Sequence, residues 1–423
     1  MMPKSKVPQI RFKGFREEWN SQGFDEIFSN ISNNNLSRAE LNYEFGRARN
    51  VHYGDILIKF SEILDVEKAI IPYITNDEYV NKFKNSKLQN GDIIIADAAE
   101  DETVGKCTEV VNINDEIIFS GLHTIAVRPT KQFASKYLGY YMNSSSYHNQ
   151  LLPLLQGSKV LSISKTAIKN TDIDFSKDIE EQVKIGSYFQ QLYKLIEQKE
   201  KKYQKLKQFK KAMLDKMFPK DGANTPEIRF KGFSEKWEEK RLCDLIEFIV
   251  DNRGKNPKYY CSEGIPIIDN FMIKNNIYPN LNGATRFIDE NLFDNFIRKY
   301  NELNDVLITL VGNGIGNITL FPKEKSVIIQ NTLGLRFSNE KIFMFYCLLS
   351  KNKEIKHLDR GMAQPSIRQD ELLDIEIKTP KDLEEQEKIG NYFQKLDKQI
   401  DLLQKELEKL KNIKKASLSK MFV

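Results

Sequence analysis

Polar side chains of the kinds that reach base edges and phosphates recur beside glycines in segments that read as loops. In the first half they are Lys59, Lys106, His123, Lys159 and Lys165. In the second they are Asn252, Arg253, Lys255 and Asn256 in the run DNRGKN, then Asn313 and Asn317, then Arg360, Gln364 and Arg368. Arginine or lysine matches the O6 and N7 acceptors of guanine, and asparagine or glutamine matches N6 and N7 of adenine. Others of the set would hold phosphates, which fixes register without reading sequence. Any one of these residues is an ordinary surface group. The set, spread over loops of both halves, is the vocabulary of nucleic-acid binding.

Catalytic vocabulary is sparse by contrast. There is no G-x-x-x-x-G-K-[ST] run, hence no P-loop ATPase. The run Gly312-Asn-Gly314-Ile-Gly316-Asn has the wrong spacing for a dinucleotide fingerprint and is followed by strand-like residues, so it reads as a tight turn between strands. Neither half contains the N-P-P-Y or D-P-P-Y run with which an amino-methyltransferase holds its target nitrogen. Asp97, Glu100, Asp101 and Glu102, with Lys106 nearby, could compose a metal-dependent nuclease site, but a solvated loop is the simpler expectation. The four histidines lack metal-ligand spacing and the four cysteines lack a C-x-x-C pair, so neither a catalytic residue nor a bound metal is expected.

Composition sets the remaining bounds. The chain has 423 residues, 40% hydrophobic and 29% charged, with a formal net charge of +5. That is enough for two or three domains with real cores, and mildly basic, as a nucleic-acid partner permits. No apolar run approaches the ~18 residues of a membrane span. The opening MMPKSKVPQI has no apolar core of a signal peptide. A cytoplasmic protein with reduced thiols is expected.

The elements that must position the loop residues are announced by two repeated phrases. Residues 179–218 read IEEQVKIGSYFQQLYKLIEQKEKKYQKLKQFKKAMLDKMF, and residues 383–422 read LEEQEKIGNYFQKLDKQIDLLQKELEKLKNIKKASLSKMF, ungapped at an offset of 204. After Gly186 and Gly390 neither contains Gly or Pro, and both are rich in strong helix formers. Leu396, Ile400, Leu403, Leu407 and Leu410 step by three and four, as do Leu192, Ile196, Tyr203, Leu206, Met213 and Met217, with Lys199 and Lys210 interrupting. This is the stagger of a coiled-coil seam. The second phrase, P-x-I-R-F-K-G-F with a following Trp, occurs within residues 7–28 and again within 225–248, at an offset of 218. Each half therefore opens with one phrase and closes with the other, and the intervening segments differ by 14 residues.

Between the phrases lie two blocks, 29–156 and 249–360, of little identity but similar grammar. Asn90-Gly91-Asp92-Ile93-Ile94-Ile95 parallels Leu303-Asn304-Asp305-Val306-Leu307-Ile308, each a strand opened by a turn and Asp. The run ending in Arg128 parallels the run ending in Arg336, and helical stretches 133–152 and 340–357 follow. Short strands at 172–175 and 376–379 lead into the long helices. Residues 53–60, YGDILIKF, read as an extra strand found only in the first block.

These ordered phrases resemble the specificity subunit of type I restriction–modification systems. The resemblance covers essentially the whole chain and rests on the duplicated plan, with I/L-E-E-Q-x-K-I-G-x-Y-F and the K-K-A-x-L-x-K-M-F ending, which the second copy carries with Ser417 and Leu418 at its centre. It implies an α+β fold: two mixed α/β target recognition domains separated by two long antiparallel helices (a coiled coil), with an internal pseudo-two-fold repeat. The domains would be 1–178 and 219–382, each followed by its helix, 179–218 and 383–423. Each domain would read one half of a bipartite, asymmetric DNA site, with helix length acting as a ruler for the gap. Two methyltransferase subunits using S-adenosylmethionine, and two motor-nuclease subunits using ATP and magnesium, would complete the complex; this chain would supply no catalytic residue. Ile185, Tyr188 and Phe189, with their copies Ile389, Tyr392 and Phe393, are candidates either for docking these partners or for anchoring each helix to its own domain. The competing readings are a DNA-processing enzyme with its own active site, against which the missing motifs argue, and a coiled-coil adaptor that binds no specific DNA.

Overall fold

The structure is a computed structural model, and it describes residues 6–254, 256–360 and 364–423. The chain divides into two compact units, Met1–Lys199 with Leu407–Val423, and Glu200–Glu406. The long helices run Ile179–Lys216 and Leu383–Lys420, 38 residues each. Each unit thus holds the beginning of one helix and the end of the other.

In the first unit a five-stranded sheet has the order Phe28–Ile31, Thr124–Pro129, Ile93–Ala96, Cys107–Val111, Ile63–Asp65, antiparallel except for its last, parallel pair. Both faces are covered. Ile93, Ile95, Ile125 and Val127 enter one core, and Ile94, Ala96, Ala126 and Val110 enter another. A strand buried on both faces reads as an unbroken apolar run, which is why III rather than an alternating pattern marks it. Asp92, at the strand's mouth, is held by Arg128 through Nε at 2.8 Å and Nη2 at 2.7 Å. A second sheet joins Ile117–Ser120, Ala48–Val51, Tyr73–Ile74 and Leu41–Asn42.

In the second unit the sheet order is Ile246–Asp251, Thr332–Phe337, Val306–Thr309, Ile318–Leu320, all antiparallel. Asp305 again pairs with the arginine that ends the neighbouring strand, Arg336, at 3.1 Å. The glycine run 312–316 is the turn between Val306–Thr309 and Ile318–Leu320. Helices Lys341–Ser350 and Asn352–His357 follow the sheet, as Tyr137–Met142 and Ser145–Leu151 do in the first unit. In each unit a two-stranded ribbon, Asn20–Gly23 with Asp172–Phe175 or Glu238–Arg241 with Glu376–Thr379, leads to the long helix.

The repeated phrases are explained by what they touch. Asp178 Oδ1 accepts the Glu180 N–H, and Asp382 Oδ1 the Glu384 N–H, each at 2.8 Å, capping orphan donors at the helix starts. A Cβ on Gly186 would sit 3.1 Å from Ser135 O, and one on Gly390 would sit 3.1 Å from Phe343 N. Glycine is kept at both because backbone presses on the helix there. In the first unit Tyr188 Oη meets Ser417 Oγ at 2.9 Å. In the second, Tyr203 Oη donates to Gln404 at 3.3 Å and Lys210 Nζ donates to both oxygens of Asp397 at 2.6 and 2.7 Å. Numbers fall along one helix as they rise along the other, so the two pack antiparallel. Leu192, Met213, Leu396, Leu403 and Leu407 are buried along the seam. Lys210, which interrupts the apolar pattern, is held by that carboxylate, to which Tyr346 Oη also donates at 2.7 Å.

Residues 53–60 are a correction. They form a helix, Tyr53–Ile58, not a strand. His52 Nδ1 accepts the Gly54 N–H at 3.2 Å as its cap, and Asp55 turns inward to Arg38 at 2.8 Å. The alternation of apolar and polar residues was too short to separate the two periods.

Candidate nucleic-acid interface

In the first unit four segments converge at one end of the five-stranded sheet. They are the loop after Phe28–Ile31, the exit of Ile93–Ala96, the turn before Thr124–Pro129 and the segment leading into the short helix Lys165–Ile168. The Asp97 N–H donates to His123 O at 3.1 Å, and the Ile163 N–H to Asp97 O at 2.8 Å. Side chains then close the cluster. Lys165 Nζ donates to Asn33 Oδ1 at 3.0 Å, and His123 Nδ1 lies 3.3 Å from Asp97 Oδ1. The Tyr53 ring meets His123 edge-on at 5.2 Å. Burial raises the Asp97 carboxyl above its usual range, and His123 opposes that.

The second unit builds the same end from different residues. The Leu310 N–H donates to Asn331 O, and the Ile367 N–H to Leu310 O, both at 2.8 Å. These bonds place Leu310 where Asp97 stands and Ile367 where Ile163 stands. The loop after Ile246–Asp251 again meets the helix that follows, here Gln369–Leu373: Arg253 donates to Gln369 as Lys165 donates to Asn33. Arg253 is also fixed on Asp251 at 2.7 Å. Arg368 pairs with Asp370 at 2.6 Å and Arg360 with Glu371 at 2.8 Å, both with about two thirds of the side chain in solvent (65% and 69%). Gln364 and Asn313 are exposed. Gln364 Nε2 is 3.9 Å from a Cβ placed on Gly312, so the two segments adjoin.

The structure thus brings His123 and Lys165 together in one unit, and Arg253, Asn313, Arg360, Gln364 and Arg368 around the matching end of the other. Lys159 is exposed just before the strand Leu161–Ser162. Lys59 stands beyond the Tyr53–Ile58 helix, bonded to Tyr43 Oη at 2.9 Å and to Asp55 at 3.1 Å, and these partners raise its pKa. Asn317 is half-buried and donates to Ile273 O at 3.0 Å. Lys255 lies outside the described residues.

Two residues are placed differently from the expectation. Asn252 is 3% exposed, and its amide bonds Lys299 O at 2.8 Å and Ile328 O at 3.3 Å, so it pins the strand's end and offers no edge to a ligand. Lys106 is half-buried and donates to Leu57 O at 2.9 Å; burial lowers its pKa, with Lys414 adding to this and Glu62 opposing it. Both were read from composition near glycine, a signal blind to burial. The sequence reading missed Asn33, Tyr53 and Gln369, which only strand pairing brings to the cluster.

Asp101 accepts from Thr103 N at 3.0 Å as a local turn, and Glu100 and Glu102 are exposed, so the acidic run is a loop. Among the described residues no group of three His, Cys, Asp or Glu is placed to hold a metal ion. Ile185, Phe189, Ile389 and Phe393 are at most 2% exposed, inside the domain cores. Tyr188 and Tyr392 are half-buried, edge-on to Phe12 at 6.2 Å and Phe230 at 5.9 Å. Of the two roles open to these six residues, the packing favours anchoring each helix to its domain.

Comparison with known proteins places this arrangement. The family model for the type I restriction modification DNA specificity domain matches residues 18–208 and 234–412. A protein of Methanocaldococcus jannaschii described as the MjaX specificity subunit of a type I restriction enzyme is 25% identical over 358 residues, 81% of each chain. The type I restriction enzyme MjaVIII specificity subunit of the same organism is 27% identical over 274 residues, 62% of this chain and 63% of that one. The crystal structure of a type I restriction-modification S subunit from M. genitalium superposes with a TM-score of 0.63 at 15% identity, covering 99% of both chains. A chain from a structure of type I restriction-modification complex assembly and conformational transition gives 0.55 at 18% identity, covering 95% of this chain and 96% of that one. The two matched segments account for most of the molecule, one in each block: the chain belongs to the type I restriction–modification DNA specificity family, as a non-catalytic specificity subunit with two recognition domains.

Proposed function

We propose that each recognition domain, 1–178 and 219–382, reads one half of a bipartite, asymmetric DNA site through the sheet end described above. One observation carries this: the loop after the first sheet strand meets the first turn of a short helix in both units, through Lys165 and Asn33 in one and Arg253 and Gln369 in the other. Unrelated side chains on a shared scaffold are what two different half-sites require. The exposed arginines and lysines supply phosphate contacts and guanine readers, and the amides supply adenine readers. The residues of the two long helices set the gap between half-sites and dock two methyltransferase subunits. Those subunits bring S-adenosylmethionine chemistry on adenine. Two restriction subunits using ATP and magnesium join them, and the assembly works in the cytoplasm.

The test is single-molecule methylome sequencing of a methylation-deficient host that expresses this chain with its methyltransferase subunit. The expected result is a bipartite adenine-methylated motif that disappears when this chain is omitted. A soluble complex that leaves no motif rejects the reading.

A further inference from the structure

We infer that Gln330 reads a base edge in the half-site of the second domain, and that His123 does so from the matching turn of the first. This rests on reading both domains as DNA recognition domains. Among the described residues, the non-glycines with positive φ are Asn112, His123, Lys136, Asn275, Asn304 and Gln330. Asparagine adopts this left-handed region with little strain. Lys136 has a structural reason for it, because its N–H donates at 2.5 Å to the buried Glu109 carboxylate at the start of Tyr137–Met142. Gln330 (φ 61°) remains; His123 (φ 54°) is of a type that enters this region more readily, and it is joined to Gln330 by its place on the matching turn.

Both stand on the turn that enters the same central strand, Thr124–Pro129 or Thr332–Phe337. The neighbours His123 and Asn331 give the matching carbonyls, accepting from Asp97 N and Leu310 N. The blocks share little sequence here, so the strained side chain is not part of a repeated phrase. Glycine or asparagine would relieve the strain at either site, and neither is used. A glutamine kept in an unfavourable backbone region marks a function for its side chain.

Each group is also held. The Gln330 Oε1 accepts from Arg286 Nη1 and Nη2, both at 3.2 Å, and its Nε2 donates to Asn256. Arg286 is itself ion-paired with Asp269, so it cannot swing away. An amide nitrogen has two hydrogens, and Asn256 takes one. The other suits N7 or O6 of a purine, or O4 of thymine. In His123, an Nδ1–H donated to Asp97 leaves Nε2 as an acceptor, suited to the exocyclic amine of adenine or cytosine. The His123 side chain is 52% exposed.

The methylome of the same host, expressing Q330N or H123N with the methyltransferase subunit, tests this. Asparagine keeps the backbone unstrained and draws the polar group back. Q330N is expected to relax one base pair of one half-site, by on the order of tenfold or more in methylation preference, and to leave the other half intact. H123N is expected to relax only the other half. Melting temperatures should not fall, and Q330G and H123G serve as second variants should an asparagine variant prove unstable. Folded variants that write the wild-type motif overturn the inference. A wild-type chain that writes no bipartite motif rejects the recognition reading beneath it, a different failure seen in a different lane.

Discussion

Arg11 grips Glu181 through Nε at 2.6 Å and Nη2 at 2.9 Å, and Arg229 repeats the grip on Glu385 at 2.6 and 2.7 Å. The arginine belongs to the phrase that opens each half and the glutamate to the phrase that closes it. The two phrases are therefore two sides of one device that clamps the helix start to its domain. The carboxylates are essentially buried, 0% and 1% exposed. Replacing Arg11 with Met leaves a buried carboxylate without its counter-charge, which costs about 3–5 kcal/mol. R11M should lower the unfolding free energy of the first unit by that amount, and its denaturation midpoint with it. An R11M midpoint within error of wild type would mean that water replaces the guanidinium.

The two copies of the device differ at the tryptophan. Trp19 donates Nε1–H to Glu181 at 3.3 Å, whereas the buried Trp237 Nε1 has no partner in the structure. A hydrogen bond to a charged acceptor contributes about 1.5–3 kcal/mol. W19F should thus destabilise its unit clearly more than W237F destabilises the other. Equal losses in urea titrations of the two variants would show that ring packing alone decides.

The last residues of the chain close the first core. Phe422 lies parallel to Phe189 at 5.8 Å and packs edge-on against Trp19, Tyr137 and Tyr141 at 6.1, 5.9 and 5.7 Å. Phe218 does the same in the second core, against Trp237, Phe343 and Phe393. Truncating a core phenylalanine costs about 3–5 kcal/mol. F422A should speed hydrogen exchange in 137–147, far from it in sequence, and leave 341–350 unchanged. Protection lost equally in both stretches would mean that the cores do not unfold separately.

The parts of this fold legible in the sequence are those where one physical demand dominates. Helix-forming composition marked both long helices to within three residues of their ends. The repeated Gly186 and Gly390, Arg11 and Arg229 were visible as identities. Their reason, close approach and a shared carboxylate, needs three dimensions. Residues 53–60 misled because six residues carry too little periodicity, and the cap by His52 is an uncommon one. The candidate interface was legible only as a set. His123, Lys165 and Arg253 were named, yet Asn252 was named beside them and is buried. Loop residues one position apart can face opposite ways, and composition does not encode which.

Glu109 gives the first unit a pH dependence. Burial pushes its carboxyl up to about 7, against N–H donors from Gly139 at 2.9 Å and Lys136 that favour the charged form. The folded state therefore binds this proton more tightly than the unfolded chain, whose carboxyl titrates near 4.5. The stabilisation is complete below about 4.5 and disappears as pH rises through about 7, a change of about 3 kcal/mol. The measurement is unfolding free energy from pH 5 to pH 8 for wild type and E109Q. The glutamine variant should show a flatter profile. Parallel profiles would mean that the helix N–H donors, not burial, set this carboxyl.

The helices offer the last prediction. At 1.5 Å per residue, removing seven residues shortens a helix by about 10.5 Å, close to three base-pair steps of about 3.4 Å. Because the pairs Tyr203–Gln404 and Lys210–Asp397 define an antiparallel register, a matched deletion must remove facing stretches. Residues 198–204 and 403–409 satisfy that and keep the 3-4 seam in phase, since seven is one full heptad. If helix length is the ruler, the deleted chain should write the same two half-sites with a gap about three base pairs shorter, or write none. Deleting only one of the two stretches should abolish the motif, because the seam then loses register. An unchanged motif with an unchanged gap would remove the helices from the control of spacing and leave it to the domains themselves.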